Sequence, residues 1–228
     1  MATEKGWPLM NTAAARNPFI LDGYEALDHE LSEGLLTIDA VLVPVGSGHH
    51  ISGVWNGFDQ LYRVGMVLRS PRPTEVQSSE SCPIVRAFSV GFEAVPRLLE
   101  PCNTMAAALI LDAPSEKDAL ALYKIRETRG GFIAVSDEAI LSACQSLEVY
   151  GTIPAKSDAA IGLVASPAAA KQRLLNPGKQ VVCVLIGDGL KDVDPFGRRL
   201  PSMVNIAAET SGFTDAYTPM ERKCVAPC

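Results

Sequence analysis

The sequence contains no run of 18 apolar residues, and its first residues lack the apolar core of a secretory leader. The first absence argues against a segment that spans a bilayer, and the second gives no sign of export. Basic residues are outnumbered as well, since 20 lysines and arginines face 26 aspartates and glutamates, for a net charge of −6. This acidic balance argues against nucleic acid or an anionic membrane as the main partner.

Cysteine is sparse and irregularly spaced. Six cysteines are spread over 228 residues, at positions 82, 102, 144, 183, 224 and 228. This spacing is not that of a disulfide framework in a chain of this size, so we expect reduced cysteines in a cytoplasmic protein. Cys224 and Cys228 are close enough in sequence to pair or to share a metal, but a C-terminus in which they do neither is the simpler interpretation.

Helix-like and strand-like segments alternate along the chain, and 47% of its residues are hydrophobic, enough for one domain or one and a half. The first and last predicted strands are continuous apolar runs, which are typical of strands buried on both faces. The predicted strands are residues 38–45, 73–77, 132–135 and 181–186. The predicted helices are residues 18–33, 50–67, 83–92, 116–128, 137–150 and 159–175, the last interrupted or kinked at Pro167.

This alternation predicts an α/β fold of three layers, α/β/α, around a mostly parallel sheet. We assign residues 1–194 to that domain. Residues 195–228 are punctuated by proline and glycine and predict an irregular tail, either mobile or laid across a neighbouring subunit. Residues 94–111 are ambiguous because prolines interrupt them. Ser115 and Asp118 have the spacing of a capping pair at the start of a helix.

A glycine-containing turn joins the first apolar strand to the next helix, in the sequence V-L-V-P-V-G-S-G-H-H-I. Backbone amides at such a helix N-terminus point outward, and the helix dipole favours an anion, so a phosphate could bind at residues 46–50. The turn alone is weak evidence, since many α/β domains use glycine here for steric reasons only.

Four segments in the same order resemble threonine synthase and its relatives. The phosphate turn and its helix are the first. The others are N-P-F-I-L-D-G-Y (residues 17–24), G-G-F-I-A-V-S-D-E-A-I-L (residues 130–141) and V-V-C-V-L-I-G-D-G-L-K-D (residues 181–192). The resemblance implies pyridoxal-phosphate fold type II, the tryptophan synthase beta superfamily, with pyridoxal phosphate as cofactor. The cofactor-binding residues that it implies are Gly46, Ser47, Gly48, His49, His50 and Ile51.

The resemblance covers only the C-terminal half of the family pattern. The family's Schiff-base lysine lies in a motif like S-F-K-D-R in the N-terminal half, and no such motif occurs in these 228 residues. Residues that grip the cofactor ring and the substrate carboxylate belong to the same half. Because chemistry with this cofactor needs a lysine nucleophile at the aldehyde, we expect the chain alone to be an incomplete enzyme, and no catalytic residue is assigned.

The matching half also departs from the family pattern. The hydroxyl residue of V-L-T-G, which the resemblance implies as partner of the ring nitrogen, is Ile186 here. The histidine of G-H-G-L-K-D is Asp188, and the stretch V-E-P-x-S-A corresponds to residues 154–159, which carry Lys156. Together these changes remove a ring contact and add charge near the expected pocket.

Three hypotheses follow. The first is a split enzyme, in which a partner chain supplies the lysine for β- or γ-replacement or elimination on an amino acid. This hypothesis agrees with the fact that the given sequence begins with Met close to a domain crossover of the family fold. The second is a non-catalytic homologue, a binding or regulatory subunit. It would associate with a relative or with itself through its docking surface, which is the surface where the missing N-terminal half would pack. The third is other chemistry at His49, His50, Asp188 or Lys156. It ranks last, since adjacent histidines point apart, no metal site is assigned, and Lys156 is expected to be a solvated lysine.

Overall fold

The structure is a computed structural model that describes residue 6 and residues 19–35, 37–98, 102–111 and 114–191. All of these except Gly6 belong to one compact unit spanning residues 12–196. The predicted helix entry at Asn17 and Pro18, and the predicted tail 195–228 with its two cysteines, lie outside the described residues. Within the described part, no helix has both the length and the apolar character needed to cross a bilayer.

Four parallel strands form the described sheet, in the order β3-β2-β1-β4. They are β1 (Ala40–Pro44), β2 (Arg72–Ser78), β3 (Gly131–Val135) and β4 (Val181–Cys183). In register, Leu42 of β1 lies beside Thr74 of β2 on one side and Cys183 of β4 on the other. Parallel pairing throughout confirms the predicted mostly parallel sheet.

In the described ranges, six α-helices connect and cover the strands: α1 (Ile20–Gly34), α2 (His49–Arg63), α3 (Pro83–Ser89), α4 (Glu116–Glu127), α5 (Asp137–Gly151) and α6 (Ser157–Lys171). The polar side chain of Gln77 in β2 caps the N-terminus of α3. Its Oε1 accepts from the backbone amides of Ile84 and Val85, at 3.1 and 3.2 Å, and so satisfies the open N-terminus of α3.

Apolar side chains alternate between the two faces of the sheet and form two cores. Val41 and Val43 of β1 face a core with residues of α2, α3 and α4, such as Phe58. Leu42 faces the opposite core, formed with α5 and α6. Helices on both faces of a parallel sheet make the three layers that the alternation predicted.

Helix α1 packs closely on α2 through two glycines. A β-carbon on Gly53 would lie 2.5 Å from Cβ of Tyr24, and one on Gly57 would lie 2.9 Å from Cγ of Asp28. Both pairs are spaced four residues apart on their helices, so they stack along one face of each helix. The close approach buries Asp28 completely, and neither of its carboxylate oxygens has a hydrogen-bond partner.

The prediction for the last strand was wrong in its length and burial. Residues 181–186 were expected to form a strand buried on both faces, whereas β4 ends at Cys183 and its residues are half-buried. The reason is topological: β4 pairs with β1 alone among the described strands, and Leu185 and Ile186 beyond it are exposed. Two smaller differences are that α6 continues through Pro167 and that residues 102–111 contain only a 3-10 turn, Ala107–Leu109.

Candidate functional site

The glycine-containing turn lies at the carboxyl end of β1 and leads into α2, as predicted. Gly48 is the N-cap residue of α2, and no side chain caps that end. The first amides of a helix have no partner within the helix, and they carry the positive end of its dipole. Residues 46–50 therefore present the backbone geometry that binds phosphate groups in other α/β proteins.

Two side chains fix the backbone of Gly48. Ser52 Oγ donates to the Gly48 carbonyl at 2.6 Å, from one turn further along α2. The Gly48 amide donates to Oδ1 of Asp118, the buried carboxylate of α4, at 2.7 Å. The other oxygen, Oδ2, accepts from the Ser115 amide at 2.5 Å and from its hydroxyl at 2.8 Å. The predicted capping pair is thus confirmed, and its acid has a second contact 70 residues away in sequence.

The two histidines of the turn have different neighbours. Nδ1 of His49 lies 2.7 Å from Ser47 Oγ, within the loop. The ring of His50 lies against that of Tyr24 in α1, with centroids 4.6 Å apart. Burial lowers the pKa of His50 to about 4, so its imidazole is neutral at physiological pH.

A wide cleft of about 730 Å³ opens beside the turn. Its walls come from α1, from the turn itself, from the 3-10 turn and from the chain after β4. They consist of Tyr24, Leu27, Pro44, Gly46, Ser47, His49, His50, Ala108, Leu109, Val184, Leu185 and Ile186. A cleft at the carboxyl ends of parallel strands is the usual position of a ligand site in α/β folds.

The segment 104–109 is held in place as one wall of this cleft by acids at two helix N-termini. Asp137, at the start of α5, accepts from Thr104 Oγ1 and from the Met105 amide, both at 2.7 Å. Asp158, in the first turn of α6, accepts from the Ala108 amide at 3.0 Å. Carboxylates are favoured at these helix ends by the dipole. The wall in turn lies so close to Gly46 that a β-carbon there would be 3.1 Å from Cα of Leu109.

Lys156 lies beside the chain after β4, since its backbone amide donates to the Gly187 carbonyl at 3.1 Å. The expectation of a solvated lysine was wrong, because its side chain is only 21% exposed and its ammonium group forms an ion pair with Asp158. The same aspartate holds Ala108, so Lys156 compensates the charge of a wall-forming carboxylate.

Ile186 and Asp188 occupy the two positions where the family pattern has a hydroxyl residue and a histidine. Ile186 lines the cleft and is 39% exposed. Oδ1 of Asp188 accepts from the Leu190 amide at 2.7 Å and so starts the 3-10 turn Gly189–Lys191. Asp188 is thereby engaged in local structure. Among the residues that the structure describes, no three His, Cys, Asp or Glu side chains form a group that could hold a metal ion.

A second buried acid lies close to Asp118. Glu75 of β2 is completely buried, and neither of its carboxylate oxygens has a hydrogen-bond partner. Burial raises the pKa of Glu75 well above its ordinary value, and the nearby Asp118 carboxylate raises it further. Burial without a hydrogen-bond partner thus favours the protonated form of Glu75.

Comparison with known proteins decides the family. The model of the pyridoxal-phosphate-dependent enzyme family matches residues 1–187. The chain belongs to this family. Threonine synthase of Methanosarcina acetivorans is 31% identical over 77% of the chain, and that of Methanocaldococcus jannaschii is 30% identical over 92%. The chain spans about half the length of these curated relatives, 44% of the first and 51% of the second.

Solved structures of a threonine deaminase and a serine racemase share the fold. The processed form of threonine deaminase isoform 2 from Solanum lycopersicum superposes with a TM-score of 0.66 at 17% identity, covering 86% of this chain and 52% of that one. Maize serine racemase gives 0.64 at 20% identity, covering 86% and 55%. At this level of identity the likeness concerns the fold, which confirms the predicted fold type II.

The residues present fit one end of pyridoxal phosphate. The helix N-terminus at residues 46–50 suits the phosphate group, and the cleft beside it has room for the ring. Ile186 on the cleft wall could not hydrogen-bond the ring nitrogen of a bound cofactor. Of the predicted residues Gly46, Ser47, Gly48, His49, His50 and Ile51, four line the cleft, whereas Gly48 and Ile51 are buried. Their binding of the cofactor stays a prediction.

Proposed function

We propose that this chain supplies the phosphate-binding half of a threonine-synthase-like enzyme that acts on an amino acid by β- or γ-replacement or elimination. The lysine that reacts with the cofactor aldehyde would come from a second polypeptide carrying an S-F-K-D-R-like motif. Self-association through the same docking surface is the alternative arrangement. The proposed location is the cytoplasm, on the composition and cysteine usage of the sequence.

One observation carries the proposal. The family match covers residues 1–187, and the same residues place an uncapped helix N-terminus in a cleft at the carboxyl end of the sheet. A helix N-terminus of this kind stabilises a dianion through its amides and its dipole. The relatives that match over most of this chain are threonine synthases, which supports an amino acid as substrate.

The chain's own residues have binding and positioning roles in this proposal. The start of α2 at residues 46–50 would hold the phosphate without the Gly48 amide, which donates to Asp118. The wall 104–109 and the Tyr24–His50 pair bound the cleft. Bound pyridoxal phosphate supplies an aldehyde that reacts with amines and a ring that accepts electrons from the amino-acid carbon. Lys156 is not the amine in question, because its ammonium group is paired with Asp158.

A second candidate function is a non-catalytic binding or regulatory subunit. The observation that favours it is Ile186, which lies on the cleft wall and cannot hydrogen-bond a ring nitrogen. In that case the cleft binds a phosphate-bearing ligand without performing chemistry, and the partner would be a complete relative.

Affinity purification of the full chain from its native host tests both. The split enzyme predicts a stoichiometric partner with the lysine motif, and the purified complex with pyridoxal phosphate should then release a keto acid or a replacement product from an amino acid. A partner variant with that lysine replaced by alanine, which should be inactive, is the control. Recovery with a complete relative that is active alone favours the second function. The proposal is wrong if this chain by itself is labelled covalently by pyridoxal phosphate on borohydride treatment.

A further inference from the structure

Asp118 links the N-termini of two helices that are far apart in sequence. Its Oδ1 accepts from the amide of Gly48, the N-cap of α2, and its Oδ2 accepts from the amide and the hydroxyl of Ser115, at the start of α4. Three donors around two oxygens at two positive helix ends suit a buried carboxylate. The Gly48 contact is buried and spans 70 residues, so it is a tertiary restraint on the loop in addition to a local cap.

Oδ1 of Asp118 is the acceptor that the structure gives the Gly48 amide. Glu75, the other acid nearby, is completely buried, and its oxygens bond to nothing. Ser52 engages the Gly48 carbonyl and leaves its amide untouched. Removal of the Asp118 carboxylate would therefore leave a buried amide unsatisfied in the middle of the loop, and the loop would have to move to satisfy it.

We propose that Asp118 is a positioning residue for the anion site: by accepting from Gly48 it holds residues 46–50 in the conformation that binds phosphate. This inference rests on the proposed function, in which that loop is the phosphate site. Asp118 affects phosphate affinity in two opposite ways. The acceptor oxygen orders the loop and favours the anion, whereas the negative charge behind the loop opposes it.

Three variants of the full chain separate these effects. Asp118→Ala removes acceptor and charge, Asp118→Asn keeps an acceptor oxygen without the charge, and Ser115→Ala removes one bond to the same carboxylate on the α4 side. Binding of inorganic phosphate is measured by calorimetry, and exchange of the Gly48 amide by NMR. Asp118→Ala should bind phosphate more weakly, by up to about tenfold, because loss of the hydrogen bond is partly offset by loss of the opposing charge. Asp118→Asn should bind at least as tightly as wild type.

Ser115→Ala is the matched control. It should lower the melting temperature while leaving phosphate affinity and Gly48 exchange unchanged, which distinguishes loop positioning from general stability. The inference is overturned if Asp118→Ala binds phosphate like the wild type with an equally protected Gly48 amide, or if Ser115→Ala weakens binding as much. Should the wild type bind no phosphate, the proposed function fails and this inference fails with it; the inference fails alone when the wild type binds phosphate and Asp118→Ala binds it equally well.

Discussion

Gly57 of α2 packs directly against the side chain of Asp28 in α1, so that a β-carbon on Gly57 would overlap Oδ2 and lie 2.9 Å from Cγ and 3.0 Å from Cβ. Rotation about χ1 of Asp28 would move Oδ2 and Cγ away but would leave Cβ at 3.0 Å, which is a tight contact. Relief of that contact requires the two helices to separate slightly. Tyr24 and Leu27 of α1 line the cleft, so this packing also sets the position of one cleft wall.

Gly57→Ala should therefore destabilise the protein by about 2 kcal/mol, since overpacking outweighs the gain in helix propensity. Gly23→Ala in α1 is the control, because a β-carbon there meets nothing within 4 Å. That variant should be more stable by about 1 kcal/mol. Urea unfolding followed by circular dichroism gives both free energies. Equal effects of the two substitutions would contradict the close packing of α1 on α2.

The pH dependence of stability should contain a contribution from Asp28. Burial, with a smaller contribution from Glu25, raises the pKa of Asp28 from its ordinary 3.8 to about 8. Between these values the folded state holds a proton that the unfolded state has released, so this group makes stability fall as pH rises from about 4 to about 8 and leaves it level above. Asp28→Asn removes that contribution.

The free energy of unfolding of Asp28→Asn relative to wild type should accordingly increase between pH 5 and pH 8, by up to about 4 kcal/mol. Urea titrations at several pH values measure it. His50 contributes in the opposite direction, since its pKa is lowered to about 4 and stability from this group rises as pH rises from about 4 to about 6.5. It cancels from the comparison because both proteins contain it. A constant difference across the range would show that Asp28 is not buried as described.

Much of the fold follows from local sequence signals. Periodic apolar residues predicted α2 and α5 to within a few residues, the capping pair predicted the start of α4, and the apolar run at residues 38–45 predicted β1. Each of these signals lies in the element itself. The capping pair Ser115 and Asp118 was found for the same reason, because its two members are three residues apart.

The remaining features depend on contacts between distant residues. Nothing in the sequence around Asp118 indicates that it also accepts from Gly48, because that contact arises only once α4 packs beside α2. An aspartate in a helix is usually exposed, so its sequence position gave no sign that Asp28 is buried. It is buried because the glycines of α2 allow α1 to approach closely. The run 181–186 was interpreted as a central strand because apolar content does not reveal whether a strand has one neighbour or two.

Ile186 lines the cleft in which the cofactor ring is proposed to lie, so substitutions there test the ring end of the proposed site apart from its phosphate end. Ile186→Thr restores a hydroxyl where the related sequences have one, so it should strengthen binding of pyridoxal phosphate by about three- to tenfold, the range of one hydrogen bond. Inorganic phosphate, which has no ring, should bind as to wild type. Ile186→Val is the control for shape and should change neither affinity. Fluorescence or calorimetric titration measures both ligands, and a parallel change in phosphate affinity would contradict separate roles for the two ends.

The neutral state of His50 predicts how anion binding depends on pH. Sulfate is the suitable probe because its charge stays constant over the range of interest, and His49→Gln is the suitable background because it leaves His50 as the only imidazole of the loop. With its pKa lowered to about 4 by burial against Tyr24, His50 gains no proton between about pH 5.5 and pH 7.5, so sulfate affinity should be level there.

Tyr24→Ala opens that contact to water and should return the pKa of His50 toward 6.5, so that sulfate binds more tightly as pH falls through that value. A rise in affinity at low pH in the presence of Tyr24 would mean that the imidazole is charged, and the loop would then attract anions by side-chain charge as well as through its amides.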